Sequence, residues 1–250
     1  MDLLEPNLLC FLLVFARVGA FFFAAPIFSW QSIPTTVKLT LTIFVSLFLT
    51  GAVAHPGLPR SYSALEAGLM MSGEVIYGLA LGLVAFYIFA AVKVGAQICE
   101  REMGLSMASI LDPMTEESGE PLGILMEMIF ILLFLAANGH HVFLVTLSRS
   151  YETFPIGSIP AIDKLTASIA TAGSTMLILG LRISAPVLAA FLLLMVVLAF
   201  LARIAPETNI LFLSLPLKVG LGLIMVGIFL PFIGSFVTEF AEWLNKLIPL

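Results

Sequence analysis

Charge is what this 250-residue chain has least of. Asp, Glu, Lys and Arg make up 11% of it, hydrophobic residues 60%, and the mean hydropathy is +1.13. A soluble domain carries about 25% charged residues. So little polarity excludes a soluble globular domain of this size and leaves an integral membrane protein. Basic clusters are also lacking. Eleven Lys and Arg stand against sixteen Asp and Glu, a net charge of -5, which excludes a nucleic-acid partner. Cysteine is nearly absent. Cys10 and Cys99 match no metal or redox spacing and read as small buried hydrophobes. Of three histidines, the adjacent His140 and His141 diverge on a helix and make a poor metal chelate. There is no HExxH, no GxSxG elbow and no Walker-type loop. No cofactor, metal site or enzymatic activity is expected. The N-terminus "MDLLEPNLL" lacks the basic n-region of a cleaved signal peptide, so the first apolar segment is expected to stay.

What is present is apolar length. A spanning helix needs about 20 mostly apolar residues. Six segments qualify, at about 8–29, 37–54, 66–92, 122–147, 168–201 and 210–238. The connections between them are a turn at Ser29–Pro34, a Pro/Gly loop at His55–Ser63, the acidic stretch Glu100–Pro121, a polar loop at Ser148–Lys164 and a hairpin turn at Arg203–Asn209. Pro206 breaks the helix before that last turn. The tail "FVTEFAEWLNKLIPL" is amphipathic, with Glu239, Glu242, Asn245 and Lys246 on one face and Phe236, Phe240, Trp243 and Leu247 on the other. It suits a membrane interface or a docking helix equally.

Orientation does not follow from loop charges. Arg60, Arg149, Lys164 and Lys246 fall on one side, and Lys38, Lys93, Arg101 and Arg203 on the other. Arg17, Arg182 and Lys218 fall inside apolar segments, as do Glu74 and Glu127, with Glu66 at a segment edge. An Arg or Lys at a helix centre costs about 2.5–3.5 kcal/mol on insertion scales. Such groups need ion-pair partners, a water-filled cavity or a place outside the hydrocarbon. Glycines point to close helix packing, within the chain or between subunits: Gly78 and Gly82 form a GxxxG step, and Gly220 and Gly222 repeat the theme.

Glu100–Pro121, "EREMGLSMASILDPMTEESGEP", holds six of the sixteen acids. Glu100 and Glu102 mark the end of one helix, and Glu116, Glu117 and Glu120 precede the next, where they suit its dipole. Between them lie Gly104, Met107, Ile110, Leu111, Asp112, Pro113 and Met114. The stretch is either a solvated connector or an adaptable apolar element, since methionine packs against surfaces of varied shape. On the residues alone, a secondary transporter and an assembly scaffold both remain open. Against a transporter stands the absence of an internal repeat.

Several motifs in order resemble the FliR/SctT family of type III secretion export-gate proteins. "FARVGAFFFAAPIFSWQSIP", with Arg17, Pro26 and Pro34, is similar to the family's opening helix and turn. "ILDP" at Ile110–Pro113 is similar to its middle loop. "NGHHVFLVTLSRSYETFPIG" carries Gly139, His140, Ser150, Pro155 and Gly157 at the family's Gly-His, Ser and Pro-x-Gly positions. "FLARIAPETNILFLSLPLK" is similar to the late hairpin, with Arg203, Pro206, Asn209, Pro216 and Lys218. Glu207 departs from the Gln common in the family at that place.

The resemblance implies an all-α fold of about six long apolar helices. Residues 1–165 would be a FliP-like four-helix part containing the 100–121 loop, and 166–250 a FliQ-like hairpin with the amphipathic tail. It implies a core subunit of the flagellar protein export gate in the bacterial inner membrane, within the basal body, or of its injectisome counterpart. Partners would be FliP and FliQ, with FlhB and FlhA at the entrance, membrane lipids around part of it, and unfolded flagellar proteins passing through. The loop residues Gly104, Met107, Ile110, Leu111, Asp112, Pro113 and Met114 would plug the closed pore. Arg17, Glu74, Glu127, Arg182, Arg203 and Lys218 would sit at buried or intersubunit polar contacts.

Overall fold

The computed structural model describes residues 4–29, 33–52, 63–105, 121–158, 162–207, 209–210 and 212–228. Met107, Ile110, Leu111, Asp112, Pro113, Met114 and the amphipathic tail lie outside the described residues. The described chain is all α: α1 Leu4–Ala24, α2 Pro26–Ser29, α3 Thr35–Ala52, α4 Ala64–Met103, α5 Pro121–Ala136, α6 Gly139–Thr153, α7 Ile162–Ile204 and α8 Phe212–Ile228. Described residues of 1–88 and 138–174 form one compact unit, and those of 89–137 and 175–228 another. The helices α4 and α7 contribute to both.

Local chemistry sets the helix ends. Pro26 opens α2, where a missing N–H costs nothing. Ser63 and Glu66 form a capping box at the start of α4. The Glu66 N–H donates to Ser63 Oγ at 3.2 Å, and the Ser63 N–H donates to Glu66 Oε2 at 2.8 Å. Glu66, expected at the edge of an apolar segment, is therefore an exposed cap. The segment expected at 66–92 continues to Met103, because no proline occurs before Gly104 and Lys93 and Glu100 find partners. The segment expected at 122–147 is two helices. Asn138, at φ 59°, takes a left-handed conformation that interrupts the helical path between Ala136 and Gly139.

The polar loop expected at Ser148–Lys164 is shorter than the sequence suggests. Residues up to Thr153 belong to α6, and α7 begins at Ile162. Polarity there does not signal solvent, because Ser150 and Tyr151 are buried.

α3 has an inverted surface. Its buried residues are Thr42, Ser46 and Leu49, while Phe44, Leu47 and Phe48 face outward. The hydroxyls bond inside their own helix: Thr42 Oγ1 donates to the Lys38 carbonyl at 2.8 Å, Ser46 Oγ to Thr42 at 2.6 Å and Thr50 Oγ1 to Ser46 at 2.7 Å. Small self-satisfied polar residues inside and large apolar ones outside is the order that a non-aqueous environment favours. α7 likewise turns Leu177, Ile178, Leu181, Leu192, Leu193, Val197 and Phe200 outward.

Candidate functional site

Arg17 lies on the buried stripe of α1, between Leu13 and Phe21, and is fully buried. In the same unit, α4 presents Glu74, also fully buried. Arg17 Nε donates to Glu74 Oε2 at 2.6 Å. The other two guanidinium nitrogens reach the end of α6 and the turn beyond it. Nη1 donates to Ser150 Oγ at 3.2 Å and Nη2 to the Phe154 carbonyl at 3.0 Å. Glu74 uses its second oxygen on the same turn, accepting the Gly157 N–H at 2.8 Å. Gly157 stands at φ 74°, a conformation that favours glycine.

Two aromatic rings complete the enclosure. Arg17 Cζ lies 4.1 Å from the ring centroid of Tyr151 and 5.0 Å from that of Tyr77, and Tyr77 stacks on Phe154 at 4.6 Å. Cation–π contact of this kind is strongest when desolvated. One buried pair thus ties together α1, α4, α6 and the turn before α7.

The backbones of α1 and α4 approach closely beside this pair. A Cβ on Gly78 would collide with the Arg17 carbonyl and Ala20, and one on Gly82 would meet Ala24 and the Phe21 carbonyl. The GxxxG step therefore packs against α1 of the same chain. Phe21, Phe22, Phe28 and Phe143 form an aromatic cluster next to it.

The second unit holds the remaining described candidates. Lys93 Nζ and Glu127 Oε2 pair at 3.5 Å, both partly exposed. Arg182 and Arg203 are exposed, and Lys218 is half-buried. A Cβ on Gly222 would overlap Met103, whereas Gly220 has nothing among the described residues within 4 Å of its Cβ position. Gly95 of α4 and Gly180 of α7 form a further close crossing that sequence reasoning missed. A Cβ on Gly95 would lie 3.0 Å from the Gly180 carbonyl. Gly104, at φ 79°, ends α4. It is the described member of the loop set.

Sequence reasoning singled out Arg17 and Glu74 but not their pairing. Ser150 and Gly157 stood in the motif resembling the export-gate family, and the structure gives both a physical task at Arg17 and Glu74. Tyr77, Tyr151 and the Phe154 carbonyl carried no signal of their own.

A chain whose described residues are all α, with apolar outer faces and a buried ion pair answered within it, is a multi-pass membrane protein. By length and composition, α3, α4 and α7 are each long enough to cross a membrane, and the broken pair α5–α6 makes a fourth span if counted as one. The chain belongs to the family described as "Bacterial export proteins, family 1", which it matches over residues 8–243. It is 31% identical over 233 residues to the flagellar biosynthetic protein FliR of Escherichia coli K12, covering 92% of this chain and 88% of that one. It is 29% identical over 219 residues to FliR of Bacillus subtilis 168, with 86% and 84% covered. The Yop proteins translocation protein T of Yersinia pestis is 27% identical over 234 residues, with 91% and 88% covered. Membership makes the chain a subunit of a type III protein export apparatus.

Proposed function

We propose that this chain is a core subunit of the flagellar type III export gate and forms part of the pore through which unfolded flagellar proteins are secreted. The observation that carries the reading is the family match over nearly the whole chain together with its FliR relatives. The chain works by conformational change rather than by catalysis. FliP and FliQ are its gate partners and FlhB and FlhA act at the entrance, in the inner membrane within the flagellar basal body. Residues 1–165 are its FliP-like part and 166–250 its FliQ-like hairpin. Arg203 and Lys218 make polar contacts between subunits or within the assembly, as does Arg182.

In this reading Gly104–Thr115 plugs the closed pore. Met107, Ile110, Leu111 and Met114 supply apolar side chains that seal around one another or around a passing chain, and Asp112–Pro113 favours a turn there. The test is deletion of Gly104–Thr115 with the full gate expressed, followed by measurement of ion leakage across the membrane. Leakage is expected to rise. Unchanged leakage would remove the plug from the account. The Yersinia relative favours a second reading, an injectisome gate. Restoration of motility in a flagellar deletion strain separates the two.

A further inference from the structure

α7 is about twice as long as the hydrocarbon of a bilayer is thick, so about half of it suffices to cross one. Its charges divide it. Asp163 and Lys164 stand at its start, Arg182 near its middle and Arg203 in its last turn. Between the two arginines lie residues 183–202, with no charged side chain and one hydroxyl, that of Ser184. Ser184 is buried, and its Oγ donates to the Leu181 carbonyl at 3.1 Å, inside the helix. Pro186 falls in this stretch, as helices in membranes tolerate. Arg182 and Arg203 are 21 residues apart, about 31 Å along a helix, and the hydrocarbon measures about 30 Å. They also share a face. Arg182, Ala189, Leu193, Val196, Phe200 and Arg203 recur at helical spacing and are all exposed. The opposite stripe, Ser184, Val187, Phe191 and Leu198, is buried. The first half of α7 has no such stretch. Residues 162–181 carry Asp163, Lys164 and five Ser or Thr hydroxyls, although Leu177 and Ile178 are about as exposed as Leu192 and Leu193.

We propose that lipid bilayer covers the exposed face of α7 over residues 183–202 and no further, with Arg182 and Arg203 at its two surfaces. An arginine inside the hydrocarbon is costly, whereas at its edge the stem lies along apolar surface and the guanidinium reaches the anionic headgroup phosphates. Each guanidinium has several N–H donors, enough for a phosphate beside the assembly contacts proposed above. Residues 162–181 then extend roughly 30 Å past the hydrocarbon, where Leu177 and Ile178 meet protein rather than lipid. The two arginines thus set the depth of α7, which the evenly divided loop charges leave open.

Spin labels at exposed positions along α7 read this depth directly. Ile178→Cys, Leu193→Cys and Ile204→Cys are each labelled in the full gate, which is reconstituted in phosphatidylethanolamine–phosphatidylglycerol vesicles. Cys10 and Cys99 are buried, and the parent protein treated with the same label measures their background. Electron paramagnetic resonance then compares collisions with oxygen, which concentrates in hydrocarbon, and with a water-soluble nickel chelate. The label at Leu193→Cys is expected to show the highest oxygen and the lowest nickel collision, with an oxygen rate severalfold above that at Ile178→Cys and at Ile204→Cys. A maximum at Ile178→Cys would place the bilayer on the first half of α7 and overturn the proposal. Low oxygen collision at Leu193→Cys would mean that protein covers the stripe, and would overturn it too. Oxygen collision as high at Ile178→Cys or Ile204→Cys as at Leu193→Cys would remove the arginines as borders.

Discussion

Arg17 has no access to solvent, so its charge has to be answered inside the chain. Glu74 supplies the counter-charge, and Ser150, the Phe154 carbonyl and two aromatic rings supply the rest. Removing one member of a buried pair strands the other, at a cost of about 3–5 kcal/mol, whereas replacing both with apolar groups is often neutral. Arg17→Met should therefore sharply lower the thermal stability of the purified protein in detergent, and the double variant Arg17→Met, Glu74→Met should recover most of it. A double variant as unstable as the single would place the cost in the Ser150 and Phe154 bonds instead. The need for a partner was legible in "CFLLVFARVGAFFF", since an arginine there is costly in lipid. The partner's identity was not, because Glu74 is 57 residues away and Ser150 is 133 away, and no local periodicity links them.

The helices as elements follow the apolar segments, and the differences have local causes. α4 and α7 have 40 and 43 residues, roughly 60 and 65 Å at 1.5 Å per residue, about twice a bilayer's hydrocarbon thickness. Hydropathy windows stop where charge appears, so they ended α4 near 92, although Lys93 pairs with Glu127, Glu100 accepts the Gly123 N–H and the helix continues. The break at Asn138 did have a local signal, since Asn138–Gly139 is a turn-favouring dipeptide, but the apolar run around it masked that signal. Glycine density was legible, but which neighbour each glycine admits was not. The structure separates them. Gly78→Ala would push a Cβ into the Arg17 carbonyl and should destabilise by about 1–3 kcal/mol. Gly220→Ala meets nothing among the described residues and should be neutral, or stabilising by up to about 1 kcal/mol from helix propensity. Thermal denaturation of the two variants checks the opposite signs. A matching loss in both would contradict the packing described for α1 and α4.

At the scale of the whole molecule, the described residues leave large apolar faces on α3, α7 and α8 exposed, and α7 also exposes Arg182 and Arg203. Bilayer can cover part of such a surface. The length of α4 and α7, about twice the hydrocarbon thickness, favours protein over the remainder. Class and family were readable from composition and from motifs spread along the chain; the arrangement with other subunits was not, because it depends on surfaces whose partners are other chains. The central claim is that this protein works inside a hetero-oligomeric gate. Its most direct test is affinity purification of this chain in mild detergent after co-expression with FliP and FliQ, followed by mass measurement of the intact complex. The account predicts one defined complex containing all three proteins. A stable particle made of this chain alone, with FliP and FliQ recovered separately, would contradict it.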